Sequence, residues 1–189
     1  MRWGRRWRRG WRVDRVVVGT EISMRGNDYN GFFFCKQNTA YELLSGRVGS
    51  EMRIRDGGGL REMADKKKVR LENGVPENLT LFADSQRLFQ ALNNLVENGI
   101  KYGGACVRVS ATNANGELDL CVEDNGPGIP AEACDRIFER FFRVDKARSR
   151  ELGGTGLGLS IVKHVTQLHG GTARVESTLG QGASFHLTF

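Results

Sequence analysis

Asn94, Asn98 and Lys101 recur at four- and three-residue spacing, which on a helix gathers them within an arc of about 60°. Two carboxamide oxygens suit a hard cation such as Mg²⁺, which prefers oxygen ligands and completes its shell with water and phosphates. A lysine one turn away suits the phosphates themselves. An ordinary solvated helix face accounts for the same spacing, although asparagine is a mediocre helix former. Leu88, Phe89, Leu92, Leu95, Val96 and Ile100 fall on the opposite side, spread over about 140°. One side of such a helix can bury while the other presents its polar groups.

Asp124 closes an alternating segment and runs into Asn125-Gly126-Pro127-Gly128-Ile129-Pro130. These are turn formers, and a plain turn is one reading. A carboxylate ending a buried strand is costly without a donor. An adenine exocyclic amine is one such donor, and Gly126 and Gly128 would let the backbone approach a flat ring. A second glycine run, Gly153-Gly154-Thr155-Gly156-Leu157-Gly158-Leu159-Ser160, precedes the apolar positions Ile161, Val162 and Val165. Glycines at a helix N-terminus expose amides and the positive dipole end to anions. The charged stretch 143–151 leads into it without a strand. That argues against a dinucleotide fold, which needs strand–turn–helix, and favours a mobile lid ending in a phosphate-binding turn.

The elements that must position these groups follow from local patterning. Asp84 or Ser85 can cap a helix running to about Tyr102. Residues 69–71 and 79–82 read as short strands around the turn-rich 73–76, and 107–110 and 118–122 as strands joined by a turn at 113–116. Segments 131–142 and 157–168 are expected to be helical, the second closed by Gly170. Residues 172–177 and 183–189 form a last pair of strands. Hairpin-paired strands with interspersed helices indicate an α+β protein, a two-layer α/β sandwich with a mixed, mainly antiparallel sheet covered on one face by helices.

Composition bounds the rest. The 189 residues carry a formal charge of +6. All of it resides in residues 1–15, with seven arginines against Asp14, while the remainder carries 21 basic and 21 acidic side chains. A neutral body argues against a domain-wide nucleic-acid surface. Trp3, Trp7 and Trp11 would stack on one face of a helix among those arginines, as a membrane-surface or nucleic-acid anchor. A disordered basic tail, or a start upstream of the true reading frame, explains the same composition and is favoured. The longest aliphatic run is Val16-Val17-Val18, far short of the roughly 20 residues of a spanning helix or the 7–15 of a secretory segment. The four cysteines are scattered, without metal-ligand spacing. They read as reduced thiols of a cytoplasmic protein. Composition shifts near residue 60, after Gly57-Gly58-Gly59, dividing an N-terminal segment of uncertain structure (1–60) from an ordered domain (61–189).

Taken in order, these segments resemble sensor histidine kinases. Residues 94–102 look like their N box, 124–130 their G1 box, 137–143 (Ile-Phe-Glu-Arg-Phe-Phe-Arg) their F box, 153–160 their G2 box and 180–185 a closing glycine motif. The resemblance covers about residues 61–189 and implies the Bergerat ATP-binding sandwich of the GHKL superfamily, shared with gyrase B, Hsp90 and MutL. It implies that Asn98, with Asn94, holds Mg²⁺ bridging the phosphates of ATP, with Lys101 and Tyr102 on the phosphate side. Asp124 would bind the adenine amine, with Gly126, Gly128, Ile129 and Phe138 around the nucleotide. Arg143 would reach the γ-phosphate. Gly154, Thr155, Gly156, Leu157, Gly158 and Leu159 would contribute the glycine turn and its amides. Ala183 stands where the family usually has Ser or Thr. The superfamily's hydrolases carry a glutamate base where this chain has Asn94, which takes no proton at neutral pH. The resemblance therefore points to a phosphoryl donor to a protein.

The family's acceptor is a histidine on a helical hairpin ahead of the ATP domain. Residues 1–60 contain no histidine, and His164, His169 and His186 all follow the G1 segment. The acceptor is expected on a separate chain or missing domain, and through it a response regulator. Alternatives are an anti-sigma-type serine kinase or regulatory module, a catalytically incomplete fragment, and a non-catalytic binding protein acting through the Arg/Trp head.

Overall fold

The computed structural model describes residues 14–18, 57–76, 79–114, 116–145 and 153–189. The elements are β1 (Asp14–Val18), α1 (Gly57–Lys67), β2 (Arg70–Gly74), β3 (Leu79–Ala83), α2 (Ser85–Tyr102), β4 (Cys106–Ala114), β5 (Glu117–Asp124), α3 (Ala131–Cys134), α4 (Gly158–Leu168), β6 (Thr172–Thr178) and β7 (Gly182–Thr188). Trp3, Trp7 and Trp11, and with them the anchor reading, lie outside the described residues.

Five strands form one sheet in the order β2-β4-β5-β7-β6. β4, β5, β7 and β6 pair antiparallel, and β2 joins parallel to β4. Alternation sends Val107, Val109, Leu120, Val122, Phe185 and Leu187 to one face, where α2 and α4 lie. α2 buries Leu88, Leu92, Leu95, Val96 and Ile100 there, and α4 buries Val162 and Val165. This is the mixed α+β sandwich expected. Asp84 caps α2, its Oδ1 accepting the Arg87 N–H at 3.1 Å. His169, just past α4, accepts the Asp84 N–H on Nε2 at 2.9 Å and donates from Nδ1 to Val165 O at 2.7 Å. The ring is thereby held neutral in one tautomer.

Three expectations are corrected. β2 and β3 flank a turn but do not pair with each other. β2 lies parallel to β4, and β3 runs antiparallel to β1, with Val16 opposite Leu81. Parallel neighbours require a long crossover, and here it contains β3 and α2. The Gly57-Gly58-Gly59 break instead opens α1, because Leu60 and Ala64, one turn apart, are buried in the core and outweigh the low helix propensity of glycine. Helix over 131–142 shrinks to α3, Ala131–Cys134, followed by turns. Phe141 has φ 65°, outside any right-handed helix, and gives its N–H to Gly156 O at 2.8 Å rather than back along the chain. Among the described residues no helix is long and apolar enough to cross a membrane.

Candidate functional site

The polar side of α2, the loop after β5, residues 142–145 and the turn before α4 enclose a cavity of about 520 Å³, within the usual range for small-molecule sites. α2 supplies Asn94, Asn98, Lys101 and Tyr102 to its wall. The β5 loop supplies Asp124, Gly128 and Ile129, and Arg143 stands at the edge. Gly154, Thr155, Gly156, Leu157, Gly158 and Leu159 close the far side.

Two expected residues stand behind the wall rather than in it. Gly126 is buried and donates its N–H to Asp124 Oδ1 at 2.9 Å. Phe138 packs edge-on against Phe185, ring centroids 6.5 Å apart, and it is Phe185 that reaches the cavity. Residues not singled out from sequence also line it, among them Glu97, Ile137, Phe142 and Phe185. Glu97 lies on the same arc as Asn94 and Lys101, so helical periodicity could have found it. Phe185 alternates inward on β7, a signal shared by every core position of that strand.

The backbone of the β5 loop is held from several sides. Ile129 N–H donates to Ser177 Oγ at 2.8 Å, Ser177 Oγ donates to Gly182 O at 2.6 Å, and Gly180 N–H donates to Pro127 O at 2.8 Å. Gly128 adopts φ +74°, and a Cβ there would lie 2.3 Å from Thr178 O, so the loop can lie this close to the β6–β7 hairpin only with glycine. Burial raises the Asp124 carboxyl above the ordinary carboxylate range. The amides of Gly126 and Ala183 offset part of that effect, and the neighbouring Glu123 charge adds to it.

Across the cavity, the Arg143 guanidinium donates to Gly154 O. With the Phe141–Gly156 hydrogen bond, it fastens the chain before the charged stretch to the glycine turn after it. No side chain caps α4, so the amides at its start have no side-chain acceptor, and Gly158 and Leu159 lie on the cavity wall. This is a ready anion site. Asn94 Nδ2 donates to Gly158 O at 3.5 Å, linking the two walls, and Lys101 Nζ meets Glu97 Oε1 at 2.5 Å.

A helix face of carboxamides and a cation, a buried carboxylate on a glycine loop and an uncapped helix N-terminus around one cavity define a nucleotide-binding sandwich of the GHKL class. The chain belongs to the histidine kinase-, DNA gyrase B- and HSP90-like ATPase family, matched over residues 83–189. It is 46% identical over 126 residues to the sensor-like histidine kinase SenX3 of Mycobacterium tuberculosis, covering 66% of this chain and 31% of that protein. This chain thus spans about a third of the length of that relative. Among solved structures, the catalytic domain of histidine kinase ThkA superposes with a TM-score of 0.64 at 25% identity, over 82% of this chain and 92% of that one. Full-length ShkA in complex with AMPPNP superposes with a TM-score of 0.56 at 29% identity, over 80% of this chain and 33% of that one.

Proposed function

We propose that this chain is the ATP-binding catalytic module of a two-component sensor kinase, donating the γ-phosphoryl group of ATP to a histidine on a hairpin carried by another chain or another part of a longer protein. One observation carries the reading: Asn94, Asn98, Lys101, Asp124, Arg143 and the start of α4 line a single cavity. The ATP analogue in ShkA supports ATP as the ligand.

The donor set also fits Mg²⁺. Asn94 and Asn98 offer neutral oxygens, and among the described residues no group of three His, Cys, Asp or Glu forms a self-sufficient metal site. A cation here would be completed by phosphates and water, as Mg²⁺ usually is. When bound, it would neutralise phosphate charge during transfer. Asp124 accepts a hydrogen bond from the adenine amine, with Ile129 and Phe185 beside the ring. Lys101, Arg143 and the amides around Gly156–Gly158 hold the phosphates. The acceptor imidazole nitrogen attacks the γ-phosphorus, the bond to the β,γ-bridging oxygen breaks, and ADP leaves. Asn94 offers no base for an attacking water, so protein transfer is favoured over hydrolysis. His169 and His186 are not acceptors. The first is bonded through both nitrogens. The second lies between Asp119 Oδ2 at 2.8 Å and Cys121 Sγ at 3.8 Å. The acceptor hairpin and its response regulator complete the relay. We assign it to the cytoplasm, where ATP is available and Cys106, Cys121 and Cys134 remain free thiols.

The test is titration with ATP and Mg²⁺, then incubation of the chain with γ-labelled ATP and a matched hairpin fragment. Acid-labile, base-stable label on the hairpin is expected. Acid-stable label on serine would replace this reading with a serine kinase, and absence of nucleotide binding would overturn it.

A further inference from the structure

Glu97 stands between Asn94 and Lys101 on α2. Glu97, Lys101, Asn94 and Asn98 fall within about 100° of arc and line the same cavity. The Glu97 carboxylate meets Lys101 Nζ at 2.5 Å, with side-chain exposures of 30% and 21%. The cation best placed for phosphate is therefore already neutralised before any ligand arrives. A phosphate chain entering alone must take Lys101 from this partner and then face a bare carboxylate of its own sign. A phosphate chain entering with a divalent cation meets the opposite situation. Glu97 lies one helical turn from Asn94 and lines the same cavity as both carboxamides, so its charge adds to the negative potential at the cation they would share with the phosphates.

We propose that Glu97 is a positioning residue that couples nucleotide binding to the divalent cation, holding Lys101 until the phosphates claim it and favouring the cation thereafter. The inference rests on the nucleotide reading of the cavity and deepens it. A plain i,i+4 helix pair, worth a few tenths of a kcal/mol, would show no such reversal.

The experiment is calorimetric titration of the full chain with ADP, first in EDTA and then with Mg²⁺ varied at fixed ADP, so that turnover plays no part. Glu97→Gln should bind metal-free ADP about three- to tenfold more tightly than wild type and need about three- to tenfold more Mg²⁺ for half-saturation, the range expected of one nearby partly screened charge. In a Lys101→Met background, the gain in metal-free affinity should shrink, because no ammonium remains to be freed. Shifts of both affinities in the same direction, or none in either, would overturn the inference while leaving the nucleotide reading intact. Failure of the wild type to bind ADP even with Mg²⁺ would overturn both.

Discussion

The Gly126 N–H points back to Asp124 Oδ1 at 2.9 Å, so the loop leaving β5 secures the last side chain of that strand. The carboxylate remains costly: burial raises its pKa in the folded protein. Binding an amine rewards the ionised form, whereas folding penalises it.

Asp124→Asn should therefore act in opposite directions on ligand and fold. Loss of the charge-assisted hydrogen bond to adenine should weaken ATP binding by about 1.5–3 kcal/mol. Because the folded pKa is raised, stability falls as pH rises from the unfolded pKa to the folded one, and the wild type carries that loss at neutral pH. The variant escapes it and should melt at a higher temperature without ligand at pH 7. Wild-type ATP affinity should decline as pH drops through the raised pKa, with that limb absent in the variant. Titrations from pH 4 to 8 and thermal melts measure both effects, and equal ATP affinity for the two proteins would remove the adenine assignment.

Gly156→Ala should loosen the phosphate side selectively. Gly156 has φ +72°, and a Cβ there would lie 2.8 Å from Phe141 Cα. The left-handed backbone alone costs about 1–2 kcal/mol with a side chain, and the Phe141–Gly156 hydrogen bond would be disturbed. Competition binding should show ATP weakened well beyond adenosine. Equal losses for both ligands would place the defect in the fold as a whole.

Arg143→Met should erase any preference for ATP over ADP. The side chain donates to Gly154 O, so it already reaches across to the glycine turn. A charged contact to the terminal phosphate is worth about 1.5–3 kcal/mol. The ratio of ATP to ADP affinity, measured with Mg²⁺ present, should fall toward one while ADP affinity changes little.

Cys121 should resist alkylation until the protein unfolds. Burial first, then the charges of Asp119 and Glu123, push its thiol up to about 11. At pH 8 only about one molecule in a thousand would carry the reactive thiolate, against roughly a quarter for an unperturbed cysteine. Mass spectrometry after brief iodoacetamide treatment should find Cys121 modified at least a hundredfold more slowly in native protein than in urea. Comparable rates would contradict the partial burial of Cys121 beside His186.

The helix and glycine segments were legible because their signals are local. The polar and apolar arcs of α2, with Asp84 as cap, reproduce Ser85–Tyr102 almost to the residue. Asp124 and the glycine turn stand out because few other residue types serve so close to a ligand. The misreadings share a physical cause, a partner distant in sequence. Residues 135–142 have helical composition, yet Phe141 bonds Gly156 fifteen positions ahead. β2 and β3 read as a hairpin because nothing within them reveals β4 or β1. Phe138 and Phe185 pack edge-on, and that the strand residue rather than the turn residue reaches the cavity depends on a contact between segments far apart in sequence.

His169 joins the end of α4 to the cap of α2 through one neutral ring. The two helices that wall opposite sides of the cavity are consequently tied together at the end remote from it. A substitution at His169 therefore acts on the spacing of the two walls from outside the site, through the cap of one helix and the last turn of the other.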